Sequence, residues 1–494
     1  MVKSNTDSYQ DVVHNPDSSL YNEDLAPAPK AKKNWTAWVY ACIWMGIVHN
    51  INQWIITANM LDKGMSFWQA FGVSCFAFGV VYVVLILNSF AGAKYGVPFP
   101  VLIRSAFGHK AALIPIFIRG VLGIFWFGIF VYLASESIDV AFGAVIPGWE
   151  NLANYQFLGM GMNTAIGYTI SIILHYLLVS HGMERIKRYE LWAGPLIMVV
   201  GIALVIWAMN VAGGIAPLVN IESTIAQEDF WGLFFLSATG IIGTVATLMV
   251  NIPDLTRFSR SQKDQVVGQA IGVPIMFIIF SVMSLLVTAG TTFAFGGVVN
   301  DPIQIIARFE NPIIVFTGAM IILASVLSLN AATNAVAVGV DLAALLPKIL
   351  NFKRAGVIAI FIGVLSFPWL WYGQTAYMDT IMGVLGSTMG PVAGIMLIDY
   401  FIIRRQKYDV DSFYQKDGLY AYKNGWNTKA LIAFAVGVFV AISGLIIPGL
   451  EWLYAYNWFL GIGTGALAYL VLMKLQKEEV KNVSVVPNSE TQNI

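Results

Sequence analysis

The chain has 494 residues, 57% hydrophobic and only 11% charged, with 28 basic side chains balancing 28 acidic ones. Soluble domains carry about 25% charged residues, so this composition excludes a free globular protein and reads as a chain that crosses a membrane many times. Zero net charge gives no reason to expect nucleic acid as a partner, and Cys42 and Cys75, both in apolar runs, form neither a disulfide framework nor a metal-ligand spacing.

Residues 1–34 are polar, rich in Asn, Asp, Ser and Pro, and lack the apolar core of a signal peptide. They are expected to form a disordered cytoplasmic tail. Twelve apolar runs follow, at about 37–61, 68–93, 113–143, 158–180, 190–212, 230–252, 266–294, 312–343, 355–372, 376–402, 428–447 and 454–474. Each is close to the roughly 20 residues that a helix needs to cross a bilayer. They predict an all-α polytopic core over 35–475 with twelve transmembrane helices, and a second disordered tail over 476–494. Basic residues gather in the first tail (Lys30, Lys32, Lys33) and in alternate loops, such as Arg185, Lys187 and Arg188 or Arg404, Arg405 and Lys407. Short basic loops stay inside, which places both termini in the cytoplasm of a cell whose plasma membrane the chain spans.

Two runs carry polar interruptions. The first holds "GIVHNINQW", which sets His49, Asn50, Asn52 and Gln53 in mid-membrane. The sixth holds "SATGIIGTVAT", with Gly240 and Gly243 among Ser and Thr. Irregular backbone at membrane depth is tolerated around a protein-lined cavity, and paired interruptions in two halves point to a transporter's site. Runs one and six are five apart, which predicts discontinuous helices 1 and 6 in a five-plus-five inverted repeat with two further helices. Small residues also line ordinary helix interfaces, but packing does not account for four polar side chains together in the first run.

Six stretches resemble the nucleobase–cation symporter-1 family of cytosine, uracil, allantoin and hydantoin permeases. They are "IWMGIVHN", "AGAKYGVPFPVLIRSAFG", "FWFG", "HGMERIKRYELWAGP", "NIPDLTRF" and "GPVAGIMLIDYFIIRR". The loop stretches look most like bacterial allantoin permeases. The resemblance implies a secondary transporter that works by alternating access and holds a planar heterocycle at the broken helices. It implies that Trp126 stacks on the ring, that Asn50 faces it from the first helix, and that Asn334 of "SLNAATN" bonds its edge. Gln53, in the same polar cluster as Asn50, joins this candidate set. An amide offers both donor and acceptor, which suits the N–H and C=O groups of such rings.

The chain also departs from the family pattern. Phe130 stands where hydantoin and allantoin carriers have Gln, and Val245 where they have a second stacking Trp. Phe130 lies at i, i+4 from Trp126 and so shares its helix face. The implied ion site uses carbonyls near Gly46 and His49 with Ser325 and Ser328, but the sodium-coupled member's second hydroxyl is here Leu329. A hard cation wants several oxygens, so proton coupling is expected ahead of sodium. The other readings left open are sodium symport, a carrier for a vitamin such as thiamine or pyridoxine, and a receptor that does not transport.

Three charged residues are candidate coupling or gating groups. Glu136, ten residues beyond Trp126, reads either as a solvated interfacial residue or as a vestibule carboxylate. Arg119 and Asp254 are expected at similar depths on the other side of Trp126. They either pair as an inner gate, or Asp254 faces the loop with Arg257. The scattered histidines carry no metal motif, no repeated pore-lining motif indicates a channel, and no cofactor is expected.

Overall fold

The computed structural model describes residues 9–180, 183–372, 384 and 386–483. The first apolar run is two helices, α1 (Ala37–Val48) and α2 (Ile51–Asp62), with a break at His49 and Asn50. Then come α3 (Phe67–Tyr95), α4 (Leu113–Val145), α5 (Met162–Val179), α6 (Met183–Ala212) and α7 (Phe230–Asn251). The remaining long elements are α8 (Gln262–Phe295), α9 (Pro312–Leu345), α10 (Phe352–Leu365), α11 (Met389–Ile403), α12 (Thr428–Ile446) and α13 (Asn457–Val483). Each predicted apolar run therefore meets helix, the tenth only from Met389 because 373–383 and 385 lie outside the described residues.

Local chemistry sets the helix ends. Ser66 and Gln69 form a capping box at the start of α3, and Asn311, Asn351 and Asn427 cap α9, α10 and α12 through side-chain oxygens that accept backbone N–H groups. Three helices contain π turns, at Ile271–Met276 in α8, Ala331–Ala335 in α9 and Ile398–Ile403 in α11. Pro274 accounts for the first, because it has no N–H to give. Between α4 and α5, the hairpin strands β1 (Gln156–Phe157) and β2 (Met160–Gly161) pair antiparallel across Leu158 and Gly159, both at positive φ.

Two groups of helices face each other. In one, α4 packs along α9 and α5, and α10 closes against α4, α5 and the second half of α9. Gly128 and Gly363 let α4 and α10 approach backbone to backbone, the small-residue contact that membrane helices use when lipid offers no hydrophobic drive. In the other, α1 and α2 pack on α8, and α3 on α7 and α8. Helix α6 touches both groups, and α11, α12 and α13 pack together at one side.

Three expectations change. The sixth span is not interrupted: α7 runs unbroken through Gly240 and Gly243 to Asn251, because glycine costs a helix only about 1 kcal/mol whereas an unpaired backbone group in hydrocarbon costs several. The N-terminal segment is not a free tail from residue 9 onward. Arg104 Nη1 donates to Leu20 O and Phe413 O at 2.9 Å each, Arg257 Nη1 to Asp24 O at 2.7 Å, Tyr414 OH to Leu25 O at 2.7 Å, and Phe352 N–H to Asp24 Oδ2 at 2.7 Å. Within the segment, Leu25 and Ala28 are buried. Burial pushes the Arg104 guanidinium down to about 10. The segment buries too few apolar side chains to show in hydropathy; the body holds it by its backbone. At the other end, α13 continues past 475 to Val483, while 1–8 and 484–494 lie outside the described residues.

Candidate functional site

The break in the first span is a tight backbone feature. His49 has φ −77° and ψ 50°, and Asn50 N–H bonds Val48 O at 2.8 Å, close to an inverse γ-turn. Asn50 then caps α2, its Oδ1 accepting the Asn52 N–H at 2.9 Å. The carbonyl freed at His49 accepts from Ser325 Oγ at 2.8 Å.

A pocket opens beside this break, between the two helix groups. Ile47 and Asn50 enter it from the first span, Trp126 and Phe130 from α4, Thr244, Val245 and Leu248 from α7, and Leu329, Thr333 and Asn334 from α9. The Trp126 and Phe130 rings stack with centroids 5.9 Å apart and planes 29° apart. Five of the six candidate ring contacts thus meet in one cavity. Gln53 does not line it: this side chain is fully buried, donates to Thr57 Oγ1 at 3.1 Å and accepts from Thr244 Oγ1 at 2.9 Å, so it holds a lining residue in place. Behind the pocket, Asn334 Nδ2 donates to Asn330 Oδ1 at 3.0 Å, and Asn330 Nδ2 lies 3.0 Å from His175 Nε2. A more spacious groove lies far from these groups, at the surface between the N-terminal segment and the body, near Glu23, Arg257 and Phe352.

The candidate ion residues come together, with an addition. Ser325 reaches the His49 carbonyl, while the His49 ring turns away, its Nδ1 2.5 Å from Met45 O and its edge against Phe280. Ser328 Oγ donates to Glu190 Oε2 at 2.5 Å. Gly46 has no room for a side chain, because a Cβ there would collide with that carboxyl and with Ser328. Glu190 is fully buried, and its Oε1 has no hydrogen-bond partner among the described residues. Sequence reading missed it because "MERIKRYE" looks like a charged loop. The helix starts at Met183, seven residues earlier than the apolar run, and turns Glu190 inward while Glu184 and Arg188 stay exposed.

The proposed Arg119–Asp254 pair is not formed. Arg119 is fully buried and faces Asp341 of α9, Nε to Oδ2 3.6 Å, with its Nη2 donating to the Thr333 carbonyl at 3.2 Å. Asp254 is bound elsewhere, accepting Phe99 N–H at 2.8 Å and Asn251 Nδ2 at 3.2 Å. The Phe99 N–H, free at the start of a short helix, takes one oxygen of Asp254, and the Arg119 guanidinium acts on this carboxyl only through its field. At the other end of α4, Glu136 is half-buried near Tyr132 and Asp301. Asp139 has a structural role, accepting from Trp149 Nε1 at 2.5 Å and from Asn163 Nδ2 at 2.9 Å.

A multi-pass helical fold whose polar groups converge on a helix break in mid-span defines a membrane carrier rather than an enzyme. Residues 27–461 match the family of permeases for cytosine/purines, uracil, thiamine and allantoin, and the chain belongs to that family. It is similar to the allantoin permease of Bacillus subtilis (strain 168), 36% identical over 474 residues that cover 95% of this chain and 96% of the relative. It is 29% identical over 433 residues to the purine-uracil permease NCS1 of Arabidopsis thaliana, covering 87% and 72%. Among solved structures, the fold matches Mhp1, a nucleobase-cation-symport-1 family transporter in a closed conformation with bromovinylhydantoin bound. That match has a TM-score of 0.76 at 20% identity and covers 93% and 96% of the two chains.

Proposed function

We propose that this chain imports a small planar nitrogen heterocycle, a nucleobase or an allantoin- or hydantoin-like ring, by alternating access. In this reading both termini are cytoplasmic and a proton moves with the substrate. The observation that carries it is the Trp126–Phe130 ring pair facing Asn50 and Asn334 across one cavity. A flat aromatic face holds a neutral ring without burying charge, worth about 0.5–1.5 kcal/mol beyond area burial, and the amides supply edge contacts. The relative named as an allantoin permease supports the ring class. Phe130 and Val245 make this grip more apolar than a Gln and a Trp would.

The proton is favoured over sodium by Glu190. A buried carboxylate with no ion-pair partner is costly, so it calls for a proton or a cation. Here it fills the space beside Gly46 and engages Ser328, and Leu329 offers no oxygen.

The test is uptake of radiolabelled rings by the chain reconstituted in liposomes. Trp126→Ala should abolish uptake while keeping the melting temperature; uptake at wild-type affinity rejects the stacking role. An imposed inward proton gradient should drive accumulation without sodium, and Glu190→Gln should remove accumulation while leaving exchange. Steep sodium dependence with an indifferent Glu190→Gln rejects the proton. No binding of any ring by the folded chain rejects the carrier reading.

A further inference from the structure

We infer that the pocket accepts only rings that bring an N–H donor to Asn334 and a C=O acceptor to Asn50, and that His175, which does not line the pocket, sets this requirement as a positioning residue. The inference rests on the carrier reading above and specifies the substrate's edge.

The argument starts from backbone carbonyls, which can only accept. His175 Nδ1 lies 2.8 Å from the Ser171 carbonyl oxygen, so Nδ1 carries the proton and Nε2 of the neutral ring is an acceptor. The Asn330 group beside Nε2, at 3.0 Å, is therefore the NH2. The same nitrogen is 3.1 Å from the Phe127 carbonyl oxygen, which makes the same demand. Asn330 Oδ1 then points at Asn334, which must answer with its own NH2, at 3.0 Å. Turning Asn334 over would set two amide oxygens face to face. Its Oδ1 has no partner among the described residues, and it is presented to the pocket as a fixed acceptor.

Asn50 is locked the opposite way. Its oxygen is held by the Asn52 N–H at 2.9 Å, so its NH2 is the part left for the pocket. A fixed acceptor on α9 and a fixed donor at the helix break match the N–H and C=O of a lactam or cyclic ureide. A ring of the same shape with only acceptors toward α9 meets oxygen with oxygen and leaves a buried group unpaired. His175, Asn330 and Ser171 are fully buried, and the His175 ring lies edge-on to Phe127 at 5.3 Å, so the lock is rigid.

The experiment measures ligand-quenched fluorescence of the purified full chain with isosteric pairs in which an oxygen takes the place of one ring N–H: hydantoin against oxazolidine-2,4-dione, and uracil against 1,3-oxazine-2,6-dione. Wild type should favour the N–H member of at least one pair by on the order of tenfold or more. His175→Phe, which keeps the ring contact but leaves the Phe127 carbonyl alone to hold the Asn330 NH2, loosens the orientation of Asn330 and Asn334 and should lower that ratio. His175→Gln, whose amide oxygen can still accept from Asn330, should restore it. A purely structural histidine would lower the melting temperature and leave the ratio unchanged, and that result in a folded His175→Phe overturns the positioning role. Equal binding of both members of each pair by wild type overturns the edge requirement without needing any variant to fold. Failure of every ring to bind wild type is a distinct result that rejects the carrier reading itself.

Discussion

Helix α7 and the first span face each other across the pocket, and both carry glycine and hydrogen-bonding residues at membrane depth, yet only the first span breaks. In α7 the backbone ladder stays closed through both glycines, and the Thr244 hydroxyl lies within reach of the Ile241 carbonyl at 2.7 Å and of Gln53 Oε1 at 2.9 Å, with one proton for either. In the first span several of the groups freed by the break have partners. Asn50 caps the outgoing helix, Ser325 takes the His49 carbonyl, and Gly46 lets Glu190 and Ser328 lie against the backbone. The lesson is that glycine and polar residues permit a break in a membrane helix, but partners on neighbouring helices decide it, because an unpaired backbone group in hydrocarbon costs several kcal/mol.

Substitutions at four positions grade this contrast. The largest effect is expected from Gly46→Val, which drives a side chain into the Glu190 carboxyl and Ser328. Overpacking of this kind costs about 1–3 kcal/mol or more, and thermal unfolding in detergent should show a clear fall in melting temperature with loss of ligand binding. Asn50→Ala should cost about 1 kcal/mol through the lost cap and also weaken ring binding. Asn50→Ser separates the two: stability returns because Ser caps, and affinity does not because the amide is gone. Ser325→Ala leaves the His49 carbonyl unpartnered and should cost about 0.5–1.5 kcal/mol in the same assay; no change would mean that the break holds without it. Gly243→Ala in α7 is the smallest. Its Cβ meets nothing within 4 Å, so stability should hold or rise by up to about 1 kcal/mol. A large loss there would show that α7 depends on flexibility at Gly243.

How legible these features were depends on the range of the interaction. The helices could be read because length and apolarity are local properties of each run. The break at His49 and Asn50 was legible because four polar side chains in mid-run need an explanation. That Asn50, Trp126 and Asn334 meet in one cavity came from family resemblance, since no spacing within one sequence relates α4 to α9. Asp341 was hidden for the same reason. It lies in an apolar run, and its partner Arg119 is more than two hundred residues earlier, so the chemically similar Asp254 looked the better match. The N-terminal segment was misjudged because hydropathy scores side chains, whereas this segment is held through its carbonyls by Arg104, Arg257 and Tyr414.

The π turn at Ala331–Ala335 is the place where α9 can best absorb the loss of one residue. A π turn holds one residue more than the α-helical turn it replaces, and one residue in an α-helix is worth about 100° of rotation. Upstream of the turn, Ser325 and Ser328 face the first span; within it, Asn334 faces the pocket; downstream, Asp341 faces Arg119. Deleting one alanine from this turn would close it to an ordinary α-helical turn with little change in the facing of the downstream half, whereas deleting one residue from a regular α-helical stretch between Ser328 and Asp341 would swing that half by about 100° and turn Asp341 away from Arg119 while the serines stayed in place. Single-residue deletions should therefore be better tolerated within this turn than in the regular turns on either side of it, and a deletion scan across α9 would locate the turn by function alone.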